Sequence, residues 1–227
     1  MGTLTRDLLK LPRAGQYGAI LADPPWHFST WSARGRDRCP DGPVTNEHGY
    51  DVRGRNNSPL RHYATMSLQD IEALPVGECA ARDALLMLWV VDPLLPRAIE
   101  IGTAWGFEYK TVGFYWAKTR RVTSRRGERF DDPVRRAFPM GTGYWTRANP
   151  EACLLFTRGK PKRMSAGVAK LIVSPRREHS RKPDEQYERI EALVAGPYAE
   201  LFARQSRPGW DTWGNEVGKF DKAKEAA

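Results

Sequence analysis

Apolar residues fall in short runs separated by polar stretches rich in Gly and Pro. Tyr17-Gly-Ala-Ile-Leu-Ala22 is one such run, ending at Asp23 and two prolines. It predicts a buried strand that delivers Asp23 to a loop at its C-terminal end. Ser67-Leu-Gln-Asp70 opens a helix with a capping-box-like pattern, with Leu68, Ile71 and Leu74 as its apolar face. Ala84 to Val91 is continuously apolar, as expected of a central parallel strand covered on both faces. Leu94 to Trp105 reads as a helix stopped by Gly106. Phe107 to Lys118 is aromatic and β-branched and predicts another strand.

Ala152 to Thr157 and Leu171 to Ser174 predict two short strands. Pro183 to Ala195 is amphipathic, with Pro183 at a favoured first-turn position, Asp184 and Glu185 near the positive end of the dipole, and Gly196 as its stop. Glu200 to Ala203 predicts a final strand. Strands alternating with helices imply an α/β fold with a mostly parallel sheet and helices on both faces. Residues 31–63 and about 119–143 lack periodicity and read as long inserted loops, a class that is usually functional or disordered. The expectation is a single domain over 1–218 and a charged tail over 219–227.

Length and composition sharpen this picture. A chain of 227 residues with 41% hydrophobic residues can build one full core. Its formal net charge of +9 favours an anionic partner, nucleic acid being the usual one, against the plainer reading of an Arg-rich solvated surface. Cys39, Cys79 and Cys153 are far apart and odd in number, so neither a zinc cluster nor a disulfide framework is indicated. The four histidines show no paired metal spacing, and no metal is expected. No apolar stretch reaches membrane-spanning length and no signal peptide opens the chain, so a soluble, cytoplasmic protein is expected.

Asp23-Pro24-Pro25-Trp26 carries the candidate chemistry. In an open α/β sheet, ligands bind outside the C-terminal ends of the strands, where Asp23 is placed. Consecutive prolines fix the backbone and remove competing N–H donors. A carboxylate plus a proline carbonyl is then an acceptor pair that suits a substrate NH2 group. Accepting both N–H hydrogens favours a pyramidal nitrogen and aims its lone pair at an electrophile. Trp26 offers a flat face for an extruded base. The plainer reading is a Pro-rich turn with a core tryptophan.

With these residues in view, the chain resembles the MT-A70 family of adenine-N6 methyltransferases over nearly all of 17–218. The resemblance rests on several further motifs in order: Tyr63-Ala-Thr-Met-Ser67; Leu86-Met-Leu-Trp-Val90; Gly141 to Trp145 followed by Asn149-Pro-Glu-Ala-Cys-Leu-Leu155; Arg177-Glu-His-Ser-Arg-Lys-Pro-Asp-Glu185; Glu200-Leu-Phe-Ala-Arg204; and Trp213-Gly-Asn-Glu216. It implies a Rossmann-like class I fold with permuted motif order and S-adenosyl-L-methionine (AdoMet) as cofactor. Adenine N6 would then attack the cofactor's methyl group in line, with the enzyme supplying positioning and electrostatics.

Site roles follow from the same resemblance. Asp23 and Pro24 would hold the amine, with Pro25 and Trp26 completing the catalytic motif. Trp26 and Trp89 would flank the base. Asp23, Lys182, Arg204, Asn215, Glu216 and, through a gapped match, Asp7 would meet the cofactor. Ala203 stands where the family commonly has Gly, and the Gln205-Ser-Arg-Pro-Gly loop is shorter than its eukaryotic counterpart. For the polymer, the basic residues Arg34, Arg36, Arg53, Arg55, Arg120, Arg121, Arg125, Arg126 and Arg177 are candidate phosphate contacts. DNA is the leading substrate on compactness of the chain, RNA the alternative, and a non-catalytic nucleic-acid-binding subunit the third reading. A homodimer is left open.

Overall fold

The computed structural model describes residues 7–26, 66–120, 137–141, 145–178 and 180–221. In chain order the elements are β1 (Tyr17–Ala22), α1 (Leu68–Glu72), α2 (Val76–Cys79), β2 (Ala80–Val90), a 3-10 turn (Asp92–Leu94), α3 (Leu95–Ala104), β3 (Glu108–Thr119), β4 (Glu151–Arg158), β5 (Leu171–Pro175), α4 (Glu185–Leu193), β6 (Tyr198–Leu201) and β7 (Trp210–Trp213). The strands form one sheet in the order β5-β3-β4-β2-β1-β6-β7. Every neighbouring pair is parallel except the two made by β4, which runs against both β2 and β3.

The apolar run of β2 explains the layering. Alternate side chains of a strand point to opposite faces. Ala84, Leu86 and Leu88 join one buried cluster with Ile20, Ile71, Leu94 and Ile101, beneath α1 to α3. Leu85, Met87 and Trp89 join a second with Leu21, Tyr187 and Ile190, beneath α4. Both faces are therefore covered, as the unbroken run predicts.

Local signals account for the start of α1 and the end of α3. Ser67 caps α1, its side chain accepting from the Asp70 N–H. Gly106 closes α3 at a φ of 85°, with its N–H on the Thr103 carbonyl and that of Phe107 on the Gly102 carbonyl. Three expectations need correction. β2 is parallel to β1 alone, because β4 pairs its other edge in the opposite sense. α4 ends at Leu193, with Val194 already extended, so Gly196 is not its cap. The strand expected at Glu200–Ala203 is Tyr198–Leu201, and it is not the last: β7 follows it.

Candidate functional site

β1 and β6 lie side by side and in register, Ala22 opposite Leu201, so both open at the same edge of the sheet. Asp23 leaves β1 there with its N–H directed at the Leu201 carbonyl, 3.4 Å away. The prolines then form a tight turn. The Pro24 carbonyl accepts from the Trp26 N–H at 2.8 Å, and the Pro25 carbonyl accepts from the Met66 N–H at 3.2 Å. The turn is thereby fixed from both sides, and among the described residues each carbonyl accepts one hydrogen bond.

Asp23 is not alone. The Lys182 ammonium donates to its Oδ2 at 2.8 Å and lies 3.4 Å from Glu151 Oε2. Glu151 opens β4 and also accepts from Lys118, at the end of β3. The result is a chain of alternating charges, Lys118–Glu151–Lys182–Asp23, drawn from four segments of the fold. Burial alone would push the Glu151 carboxyl up, but Lys182 and then Lys118 outweigh it and bring it down to about 2. Burial would likewise lower Lys182; Asp23 and Glu151 reverse the sign and hold it above its ordinary value.

A pocket opens beside this chain, at the C-terminal ends of β1 and β6. Asp23, Arg181, Lys182, Glu200, Phe202 and Arg204 line it, together with Ser180, Tyr187 and Gln205. Ser180 and Phe202 have φ of 66° and 61°, a backbone region that non-glycine residues rarely adopt. Such strain persists where surrounding structure imposes it and gathers at ligand sites. The Ala203 departure is harmless in this light: Ala203 is buried with ordinary φ, and the strained position is its neighbour Phe202.

Glu200 projects from β6 and is 8% exposed. Burial pushes its carboxyl up to about 8, the bond from the Tyr187 hydroxyl at 3.0 Å being too weak to offset it and the Asp23 charge adding to it. Tyr187 in turn accepts from Gln205 at 3.0 Å. Arg204 donates to the Ser180 carbonyl at 3.0 Å and pairs with Glu216 at 3.2 Å. Arg181 is largely buried, and its Nε makes no hydrogen bond to any described residue. A buried donor without a hydrogen-bond partner among the described residues, beside two further cations and a carboxyl that burial shifts up, fits a ligand that is polar along its length and carries both an anionic group and hydroxyls. AdoMet, with its carboxylate and ribose diol, has that chemistry.

The structure therefore brings together Asp23, Lys182 and Arg204, with Glu216 reached through Arg204. It does not bring Asp7 or Asn215 to the pocket wall: Asp7 pairs with Lys10 at 2.6 Å and Asn215 is exposed. Trp26 and Trp89 do not present two open faces to a base. Trp26 is 4% exposed, its indole N–H tied to the Trp89 carbonyl at 2.9 Å. Trp89 is 1% exposed, bonds Gln186 at 2.7 Å, and carries the Lys182 ammonium 5.4 Å above its ring. The two side chains lie on opposite faces of the sheet.

Arg177, expected on the polymer, pairs with Asp184 at 2.7 Å and donates to the Lys182 carbonyl, so it braces the start of α4. Arg120 is exposed at the end of β3, and its N–H meets the Ala137 carbonyl. Arg34, Arg36, Arg53, Arg55, Arg121, Arg125 and Arg126 lie outside the described residues, as do most of the two predicted loops. Glu151, Glu200 and Gln186 received no role from the sequence. A signal for the two acids existed, since each is the lone carboxylate of a largely apolar strand, where carboxylates are rare unless paired.

The MT-A70 family model matches residues 17–216. The chain is 31% identical over 212 residues to the type II methyltransferase M.MunI of Mycoplasma sp., covering 92% of this chain and 80% of that protein. It is 30% identical over 212 residues to the N(6)-adenosine-methyltransferase catalytic subunit METTL3 of Homo sapiens, covering 89% of this chain and 28% of that protein. To the MT-A70-like N(6)-adenosine-methyltransferase of Arabidopsis thaliana it is 29% identical, covering 89% and 24%.

Proposed function

This chain belongs to the MT-A70 family of AdoMet-dependent methyltransferases, and we propose that it methylates the N6 amine of adenine in DNA. The observation that carries the reading is the Asp23-Pro24-Pro25 turn, with Lys182 at 2.8 Å from Asp23, at the mouth of a polar pocket. AdoMet supplies the electrophilic methyl group when bound. Asp23 and the second lone pair of the Pro24 carbonyl accept the two N–H hydrogens of the amine and aim its lone pair. After transfer, the proton released from the nitrogen passes to Asp23 or to water. Lys182, with Arg181 beside it, meets the carboxylate of the cofactor; Arg204 and Glu216 serve the ribose end. Trp26 and Trp89 support the turn and Lys182 from behind.

DNA is favoured over RNA because the region shared with this chain makes up 80% of M.MunI, so a type II methyltransferase needs little beyond it. Methylation assays on matched DNA and RNA separate the two, and label confined to RNA would reject DNA. Calorimetry with AdoMet tests for the third reading, a non-catalytic binding subunit, which predicts no binding. Asp23→Ala is expected to lower methyl transfer by a hundredfold or more while keeping the wild-type circular dichroism spectrum. An active Asp23→Ala protein would remove Asp23 from the chemistry.

A further inference from the structure

The charge chain reaches beyond the residues that the proposed reaction uses. We propose that Glu151 is a positioning residue: it shares the Lys182 ammonium with Asp23, and so holds Lys182 in place and keeps Asp23 from being fully neutralised. The inference rests on the methyltransferase reading for its consequence in turnover, but its geometry stands apart from that reading.

Glu151 lies at the first position of β4, with one carboxylate oxygen on Lys118 and the other 3.4 Å from Lys182. Each ammonium is also seated over an indole, Lys182 5.4 Å from the Trp89 centroid and Lys118 5.2 Å from that of Trp116. Lys118 is itself anchored, since Asn149 accepts from its N–H at 3.0 Å and donates to its carbonyl at 2.9 Å. Two anions and two cations thus balance in a row, with the outer end fixed by the backbone. Take away Glu151, and Lys182 has Asp23 as its one carboxylate partner among the described residues of the protein. A tight, exclusive ion pair is a poorer acceptor for a neutral amine, because the lone pairs it would offer are drawn toward the cation. Glu151 touches neither amine nor methyl group in this account; it acts through Lys182.

The test uses the full chain and three variants: Glu151→Gln, Lys118→Met, and the double variant that removes both charges. Competitive acetylation with acetic anhydride, read by mass spectrometry against exposed Lys162 in the same digest, reports the neutral fraction of Lys182. Glu151→Gln is expected to raise Lys182 labelling at least tenfold and to lower kcat at least tenfold, with a smaller change in KM for AdoMet. The double variant is expected to recover thermal stability, since Lys118 no longer stands as an uncompensated cation and Lys182 keeps Asp23, while kcat stays low. Unchanged Lys182 labelling in Glu151→Gln would overturn the proposal, and so would a double variant that regains kcat along with stability, because Glu151 would then be a structural partner of Lys118. Should the wild type fail to bind AdoMet, the methyltransferase reading falls, while the labelling result still decides whether Glu151 governs Lys182.

Discussion

Two carboxylates, one half-buried and one buried, show how one residue type is shifted in opposite directions within one site. Glu151 sits between two ammonium groups, and its folded-state value near 2 lies below the ordinary carboxylate range. It contributes stability above the unfolded value, and that contribution is lost as pH falls from about 4.5 toward 2. Glu200 is the reverse. With a folded-state value near 8 it binds a proton more tightly in the native state, so its contribution is full below about 4.5 and is lost as pH rises toward 8. In that window the slope from this group reaches at most about 1.4 kcal/mol per pH unit. Glu200→Gln, which keeps an acceptor for Tyr187, is therefore expected to gain thermal stability relative to wild type as pH is raised from 5 to 8.5. Parallel melting curves across that range check it, and a constant difference between the two proteins would mean that Glu200 is ionised in the native state.

At the scale of elements, packing is set by close approach as much as by apolar area. α3 lies against the sheet through Gly102, where an added Cβ would come within 2.4 Å of the Phe156 ring, itself fully buried. Alanine is the better helix former by up to about 1 kcal/mol, but the ring has no room to yield, and overpacking costs about 1–3 kcal/mol. Gly102→Ala is thus expected to lower stability on balance, by about 1–2 kcal/mol, measured as a lower midpoint in urea. A raised midpoint would show that Phe156 moves aside. The same element shows what was legible in sequence. Gly106 and the run from Leu94 to Trp105 place α3 to within a residue at each end, because caps and periodicity are local. β7 escaped because Trp210-Asp-Thr-Trp213 is short and only half-buried; its pairing with β6 decides it. The antiparallel setting of β4 is a property of the sheet and leaves no mark on an apolar run. At the site, Asp23 was legible from the strand and turn around it. Its partner Lys182 lies 159 residues away, and only the family resemblance linked the two. Trp26 is buried, and an aromatic after Pro-Pro reads alike in sequence whether it faces a ligand or the core.

The whole molecule carries +9, but its basic residues are not one surface. Arg158, Arg177, Arg181 and Arg204 are turned inward onto carbonyls, carboxylates or the pocket. Lys160, Lys162, Arg163 and Arg176 stay exposed along the stretch that leads from β4 through β5. The remaining dense run of arginines, 120–136, is bracketed by described residues that meet, the Arg120 N–H bonding the Ala137 carbonyl two residues after Lys118, at the outer end of the charge chain that reaches Asp23. Asn149 holds that base together by donating to the carbonyls of Lys118 and Pro139. Phosphate contacts made by the run would therefore set the register of the polymer relative to the catalytic turn. Binding through such contacts follows counterion release, in which each neutralised phosphate adds about 0.9 to the slope of log affinity against log salt. Replacing Arg120, Arg121, Arg125 and Arg126 together by Ala is expected to lower that slope by about three to four for duplex DNA and to weaken binding at low salt. Fluorescence anisotropy titrations between 50 and 200 mM salt, on the order of the range where such contacts cost a thousandfold in affinity, measure it directly. An unchanged slope would take the phosphate-binding role from this run and leave it to the exposed lysines and arginines between β4 and β5.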